Sequence, residues 1–444
     1  MAPFSNCHTR RIHNQEKFNV LEFFEPPVFK IIDRDVINTH KLSQTYWWKH
    51  HSGYALAVML YFAEYPTELQ YRDLRFFADH VASSLGNPFG VKRLDMKYQW
   101  PSFMTDDGTP IELSWDWGTQ NDPPTIRYSI EPVGVHAGTS LDPFNNLAGV
   151  KFHKEVLQSL EGLHDDWFEH FQNEFIQPWA SKSLSEFYCH ENEGHPSRIF
   201  YAFDLTNAKI SSKAYFFPAL KARLDCSTKI EAIFRAIESA PQCTNQNTKA
   251  LQVYREFAFE PGREALEYDM LAIDLTKPED SRLKIYTRSR QTDFHSVVDV
   301  LTLGGRLQSP ELSQGIKDLK NLWDCLFQVD NLPEEPLQLV NHRTAGILYN
   351  VELKLGASLP TTKIYIPVRH YSRSDEQIIQ RFAAYLSFHQ RAKYLPNYLK
   401  TMATLFDPDT MKARTGVQTY IGVSIRHDGY LRLVSYIKPE SRAL

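Results

Sequence analysis

Residues Ile111 to Trp117 read Ile-Glu-Leu-Ser-Trp-Asp-Trp, which puts a carboxylate, Glu112, into one of the most aromatic stretches of the chain. Ile111, Leu113, Trp115 and Trp117 make one apolar face of a strand, and Glu112, Ser114 and Asp116 make the other. A carboxylate in such company must point to water, pair with a cation or accept a proton. The cations follow a pattern of their own. Lys213-Ala-Tyr215, Lys284-Ile-Tyr286 and Lys363-Ile-Tyr365 repeat the order basic, any, tyrosine at comparable intervals, with Arg282 and Arg127 on similar strands. Several cations sent to one place call for a polyanion such as a diphosphate, held by charge-assisted bonds roughly twice as strong as neutral ones. The interleaved tyrosines offer hydroxyls to phosphate and ring faces to a cation, worth up to about 2 kcal/mol each where desolvated. Together these groups suit a substrate that separates into diphosphate and carbocation, as an allylic diphosphate does. Two structural readings compete: K-x-Y as a solvent face with a snorkelling lysine, and Glu112 as the ion-pair partner of Arg127.

These residues need strands to present them. Five strand pairs can be laid out: IELSWDW with TIRYSIEP, RIFYAFDL with SSKAYFFP, MLAIDL with SRLKIYTR, GILYNVELKL with TTKIYIPV, and QTYIGVSI with GYLRLVSYI. Each has hairpin character, and helical sequence separates successive pairs, which implies one repeated architecture. Ten strands left open would expose two edges, so closure into a barrel with helices outside is expected. Alternation on SRLKIYTR then sends Arg282, Lys284, Tyr286 and Arg288 into the lumen and Leu283 and Ile285 outward. Residues 41–85, with a break at Pro66, and 151–177, 228–240, 292–327 and 373–404 read as helices. Ser239–Lys249 and Asp330–Pro336 read as loops. Trp115, opposite in parity to Glu112, is expected to face the helix layer.

The bulk composition sets outer limits. The chain has 444 residues with a formal charge of −4, so there is no global attraction to nucleic acid or anionic membrane. Cys7, Cys189, Cys226, Cys243 and Cys325 are odd in number and scattered, which favours reduced thiols over a disulfide framework or a zinc ribbon. The N-terminus is polar, and the longest apolar run, Tyr54 to Ala63, is too short to span a bilayer. A cytoplasmic protein without nucleic-acid or membrane partners is expected, with a homodimer left open.

The stretches SFMTDDGTPIELSWDW, IRYSIEP, LDPFNN, FDLTNAKISSKAYFFP, SRLKIYTR and KIYIPVRHY resemble the fungal aromatic prenyltransferases of the dimethylallyltryptophan synthase family. The resemblance runs from about Trp47 to the C-terminus. It implies the α+β ABBA fold, a barrel of ten antiparallel strands with a solvent-filled lumen, ringed by helices. One domain over 1–444 follows, with 1–40 as an N-terminal extension. It also implies transfer of a dimethylallyl group from dimethylallyl diphosphate to an indole or another electron-rich aromatic in secondary metabolism, with no metal and no cofactor. By position, Glu112 matches the catalytic glutamate that accepts the indole N–H. Arg127, Lys213, Arg282, Lys284 and Lys363 match diphosphate contacts, Lys363 standing where other members often carry Gln. Tyr215, Tyr286, Tyr365, Tyr430 and Tyr436 match the tyrosine shield around the cation, and Phe103 and Met104 match the acceptor wall. Members that use free tryptophan tend to have an Arg where this chain has Glu267-Tyr268-Asp269, and a Lys where it has Phe200-Tyr201-Ala202. Those departures favour a larger acceptor without a free carboxylate, such as a Trp-containing cyclic dipeptide or an indole alkaloid. A tricyclic aromatic polyketide is the alternative acceptor, and a non-catalytic barrel for an aromatic or lipid ligand is the alternative function.

Other chemistries lack their motifs. Asp106-Asp107 and Asp165-Asp166 do not extend to D-D-x-x-D, the carboxylate cluster that holds diphosphate through magnesium. No G-x-x-x-x-G-K-[ST] or G-x-G-x-x-G occurs, and the histidines lack H-E-x-x-H spacing, so His50-His51 reads as a helical surface pair.

Overall fold

The computed structural model describes residues 24–36, 41–88, 100–176, 195–327 and 335–441. Ten strands close into one barrel in the order β1-β10-β9-β8-β7-β6-β5-β4-β3-β2, every neighbouring pair antiparallel. They are β1 Ile111–Gly118, β2 Thr125–Ile130, β3 Ile199–Leu205, β4 Ile210–Phe216, β5 Glu267–Asp274, β6 Arg282–Ser289, β7 Ile347–Lys354, β8 Thr361–Ile366, β9 Gln418–Ile425 and β10 Leu431–Ile437. Consecutive pairs form the five expected hairpins. Their short turns therefore gather at one end of the barrel, and the helical crossovers leave from the other.

The outward strand faces are apolar because helices cover them. Trp115 meets the ring of Tyr398 at 5.5 Å, and Trp117 meets Tyr398 at 4.8 Å and Phe382 at 5.6 Å. Those partners sit on the helices Leu395–Leu405 and Asp375–Phe388. Trp115 thus faces the helix layer, as its parity requires. The helix Lys229–Glu238 starts at a capping box between Thr228 and Glu231 and buries Ile230, Ile233, Phe234 and Ile237 on one side.

Several long helical readings divide into two. The 151–177 stretch becomes Asn146–Glu155 and Asp166–Phe175, with Gly162 at φ +75° between them; residue 177 lies outside the described residues. The 292–327 stretch becomes Phe294–Leu301 and Pro310–Phe327, separated where Leu303, Gly304 and Gly305 all take positive φ. The 373–404 stretch breaks at Gln390, φ 56°. Pro66 does interrupt 41–85, capping the helix Thr67–Phe76. The loop at 239–249 gives way to an unforeseen helix, Lys249–Ala258. His51 is no surface residue: its ring packs 4.9 Å from Trp47 and it is buried.

Of the 1–40 extension, residues 1–23 and 37–40, with Cys7, lie outside the described residues, as do Cys189 and most of 330–336. Within the extension the helix Pro27–Val36 buries Phe29 against Trp48, ring to ring at 4.6 Å. Among the described residues, no helix is long and apolar enough to cross a membrane.

Candidate active site

The lumen holds a cavity of about 350 Å³ whose lining runs from Thr206, in a hairpin turn, to Phe103 and Arg369 at the crossover end. Strand alternation arranges its side chains in three successive layers.

The layer nearest the hairpin turns is charged. Arg127 pairs with Asp116, and with Asp204 at 3.3 Å; Lys213 pairs with Asp204 at 2.5 Å. Arg282 reaches Asp274 at 2.6 Å and Glu352 at 3.4 Å, Lys284 reaches Asp274 at 2.5 Å, and Lys363 pairs with Glu352. Arg432 reaches Asp116 at 2.7 Å. All five expected cations thus share one layer, interleaved with four carboxylates that sequence reasoning passed over. Their signal was present: Trp-Asp116-Trp, Phe-Asp204-Leu, Ile-Asp274-Leu and Val-Glu352-Leu each set an acid between apolar neighbours on the first strand of a hairpin. Burial alone would raise Asp116 and Asp274, but the neighbouring cations outweigh it and hold both carboxyls below the usual range. Burial pushes the Lys284 ammonium below the usual lysine range.

The middle layer is aromatic. Tyr215, Tyr286, Tyr365 and Tyr436 follow one another around the wall, with successive ring centroids 5.8, 5.9 and 5.8 Å apart. Small residues leave them room: a β-carbon on Gly422 would stand 3.1 Å from the Tyr436 ring and 3.6 Å from Tyr365. Burial raises all four hydroxyls, so they remain neutral phenols. Tyr430 does not join them. It lies in the turn that Arg426 N–H closes on the Tyr430 carbonyl at 2.9 Å, past the barrel rim and half exposed. Tyr420, on β9, lines the cavity instead.

The third layer contains Glu112. In the β1–β2 register Glu112 opposes Ser129, whereas Arg127 opposes Ser114 and turns to Asp116 and Asp204. The Glu112–Arg127 ion pair is therefore not formed. The Thr419 hydroxyl donates to Glu112 Oε1 at 2.6 Å, and burial pushes the carboxyl up to about 7. Phe103 and Met104 line the same end of the cavity. Phe103 stacks on His195 at 3.8 Å, with the Arg343 guanidinium 4.4 Å from its ring. Sequence reasoning missed the charges supplied by the crossovers. Arg369 chelates Asp106 at 2.6 and 3.1 Å; Arg288, which the alternation of β6 does send into the lumen, reaches Asp269 on β5 at 3.3 Å.

Asp106, His342 and His370 also bring three donors within 4.8 Å, a spacing that suits a metal ion. Here the Arg369 guanidinium already occupies the carboxylate, and the Thr344 hydroxyl lies 2.8 Å from both imidazoles. The set is built as a hydrogen-bonded cluster around a cation.

The tryptophan dimethylallyltransferase family profile matches residues 43–401. The 4-O-dimethylallyl-L-tyrosine synthase of Claviceps purpurea is 34% identical over 403 residues, covering 89% of this chain and 88% of that protein. The 7-dimethylallyltryptophan synthase of Aspergillus fumigatus is 32% identical over 407 residues, covering 89% and 84%. Among solved structures, AnaPT from Neosartorya fischeri superposes with a TM-score of 0.77 at 24% identity, over 94% of this chain and all of that one. NotF, solved with brevianamide F and DMSPP, gives the same TM-score, identity and coverage.

Proposed function

The chain belongs to the tryptophan dimethylallyltransferase family, and from that premise we propose that it carries a dimethylallyl group from dimethylallyl diphosphate to the ring of an indole- or phenol-bearing acceptor, without a metal. The ABBA barrel and the dimethylallyltransferase class are shared across its relatives.

On this reading each stage falls to one of the three layers. Arg127, Lys213, Arg282, Lys284, Lys363 and Arg432 receive the diphosphate. When the allylic C–O bond breaks, its electron pair leaves with that anion. The carbocation is held against Tyr215, Tyr286, Tyr365 and Tyr436, which attract it through their ring faces and keep out the water that would quench it. The acceptor ring supplies the electron pair of the new bond. Glu112 accepts the hydrogen bond of the acceptor N–H or O–H as positive charge develops and takes the proton released. The observation that carries this reading is Glu112: a carboxyl hydrogen-bonded by Thr419 rather than paired with Arg127, in the layer next to the tyrosine wall.

A second reading concerns the size of the acceptor. The sequence favours one without a free carboxylate, because the expected arginine is missing at 267–269. The lumen offers another, Arg288 beside Asp269, which suits the opposite charges of a free amino acid, and two relatives are named for tyrosine and tryptophan products. One experiment tests both readings. The protein is incubated with dimethylallyl diphosphate, in excess EDTA, and with L-tryptophan, L-tyrosine, a Trp-containing cyclic dipeptide or a tricyclic polyketide, and products are read by mass. Prenylation of an amino acid but not of the dipeptide supports the charged slot. No prenylated product from any acceptor sinks the function, and turnover only after magnesium is restored sinks the metal-free mechanism.

A further inference from the structure

Glu131, one residue past β2, is a buried carboxylate with no part in the chemistry above. It accepts from Trp100 Nε1 at 2.8 Å, Ser102 Oγ at 2.5 Å, Ser197 Oγ at 2.7 Å and Asn145 Nδ2 at 3.5 Å. All four donors are neutral. Two of them are relays: the Ser102 oxygen accepts the Met104 N–H at 3.1 Å, and the Ser197 oxygen accepts the Phe103 N–H at 2.9 Å. Each serine spends its single proton on Glu131 and turns a lone pair to one backbone amide. Those two amides belong to the residues that line the crossover end of the cavity with Glu112.

We propose that Glu131 is a positioning residue for the acceptor, fixing Phe103 through Ser197 and Met104 through Ser102 so that the wall opposite the reacting ring is set before the ring arrives. This rests on the reading that Phe103 and Met104 meet the acceptor.

The carboxylate matters because both its oxygens accept. A carboxamide in its place keeps the shape but has one accepting atom and one donating atom. Ser102 and Ser197 both donate to Oε2, and Trp100 and Asn145 donate to Oε1. The N–H₂ would therefore face either both serines, whose hydroxyl protons then lose their acceptor, or Trp100 and Asn145, whose N–H groups lose theirs. The anchor of the relay then fails on its serine side or on its Trp100 side, and buried polar groups left without partners are costly. The charged layer lies at the other end of the lumen and has no link to this relay among the hydrogen bonds above.

The test compares wild type with Glu131→Gln, Ser197→Ala, Ser102→Ala and the double serine variant. Donor and acceptor are varied separately, and acceptor binding without donor is followed by calorimetry. Glu131→Gln is expected to raise the acceptor KM at least tenfold while the dimethylallyl diphosphate KM stays within twofold. Each serine variant is expected to show part of that effect, and adding Ser197→Ala to Glu131→Gln is expected to change less than it does in wild type. Acceptor and donor KM rising together, or an unchanged acceptor KM, would overturn the proposal. Should Glu131→Gln fail to fold, the double serine variant, which leaves the carboxylate in place, gives the same comparison. A wild type that binds an acceptor without transferring to it counts against the reaction, while its calorimetric comparison with the variants still decides the relay. A wild type that binds none of the acceptors overturns both.

Discussion

At the scale of single residues, Glu112 is the carboxylate at which the proposed base and a structural role can be told apart. It is hydrogen-bonded by a neutral hydroxyl and its carboxyl is pushed up to about 7, which suits a base working near neutral pH. Glu112→Gln keeps the shape and the Thr419 contact but removes the proton acceptor. Turnover should fall by about 10²-fold or more, with the melting temperature and diphosphate binding retained. A large melting loss with a proportionate activity loss would return Glu112 to a structural role. The pH dependence has a fixed sign. The ionised form is the base, so kcat/KM should rise as pH passes upward through about 7. For stability the sign is opposite, because the folded carboxyl keeps its proton at pH values where the unfolded one, near 4.5, has lost it. Its contribution is therefore complete below about 4.5 and lost as pH rises through about 7. Wild type should lose stability across that window relative to Glu112→Gln, and parallel melting curves for the two would show that the folded carboxyl is not shifted.

At the scale of elements, the hairpin is the unit that carries the site. The first four hairpins bring an acid on the first strand and a base on the second into the lumen, and the second, third and fourth add a tyrosine two residues beyond the lysine. Lys284→Gln deletes one member of this layer. A hydrogen bond to a charged group is worth about 1.5–3 kcal/mol, so donor kcat/KM should fall at least tenfold while acceptor affinity, measured alone, stays put. Arg282 still holds Asp274, which limits the loss of stability. Loss of acceptor binding with donor kinetics intact would place Lys284 away from the diphosphate. Gly422→Val tests the tyrosine wall. Its side chain must displace the Tyr436 or Tyr365 ring, so a larger share of donor should be lost to water as free alcohol, read by product partition; an unchanged share would mean that the wall does not protect the cation. The same units explain what could be read in the sequence. Period-two alternation gave the ten strands, the lumen cations and the outward face of Trp115, because every strand has one wet and one greasy side. The acids are equally visible in W-D-W, F-D-L, I-D-L and V-E-L, but a lone acid between apolar neighbours does not reveal which cation it meets across the lumen. Arg369, Asp106 and Arg343 were beyond reach, since their place depends on how crossovers fold over the barrel mouth. Tyr430 has the right parity for the lumen, but its strand begins one residue later.

At the scale of the whole molecule, the charged layer shows how a barrel can fold around a lumen lined with six cations. Arg127, Lys213, Arg282, Lys284, Lys363 and Arg432 gathered without partners would repel one another in a poorly solvated space. Asp116, Asp204, Asp274 and Glu352 offset most of that charge and hold each cation in place before any ligand arrives. Six cations against four carboxylates leave a net positive layer, which a diphosphate can complete without a metal. Inorganic diphosphate should therefore bind in excess EDTA and raise the melting temperature. A ligand that binds only the folded state at 100 times its Kd adds about 2.7 kcal/mol of stability. The shift should shrink in Lys284→Gln and in high salt, which screens the more exposed Arg282 and Arg432 first. It should be the same whether magnesium is present or chelated. Thermal unfolding across a diphosphate series, with and without EDTA, measures all of this. Stabilisation only when magnesium accompanies the diphosphate would mean that the side chains cannot hold the anion by themselves.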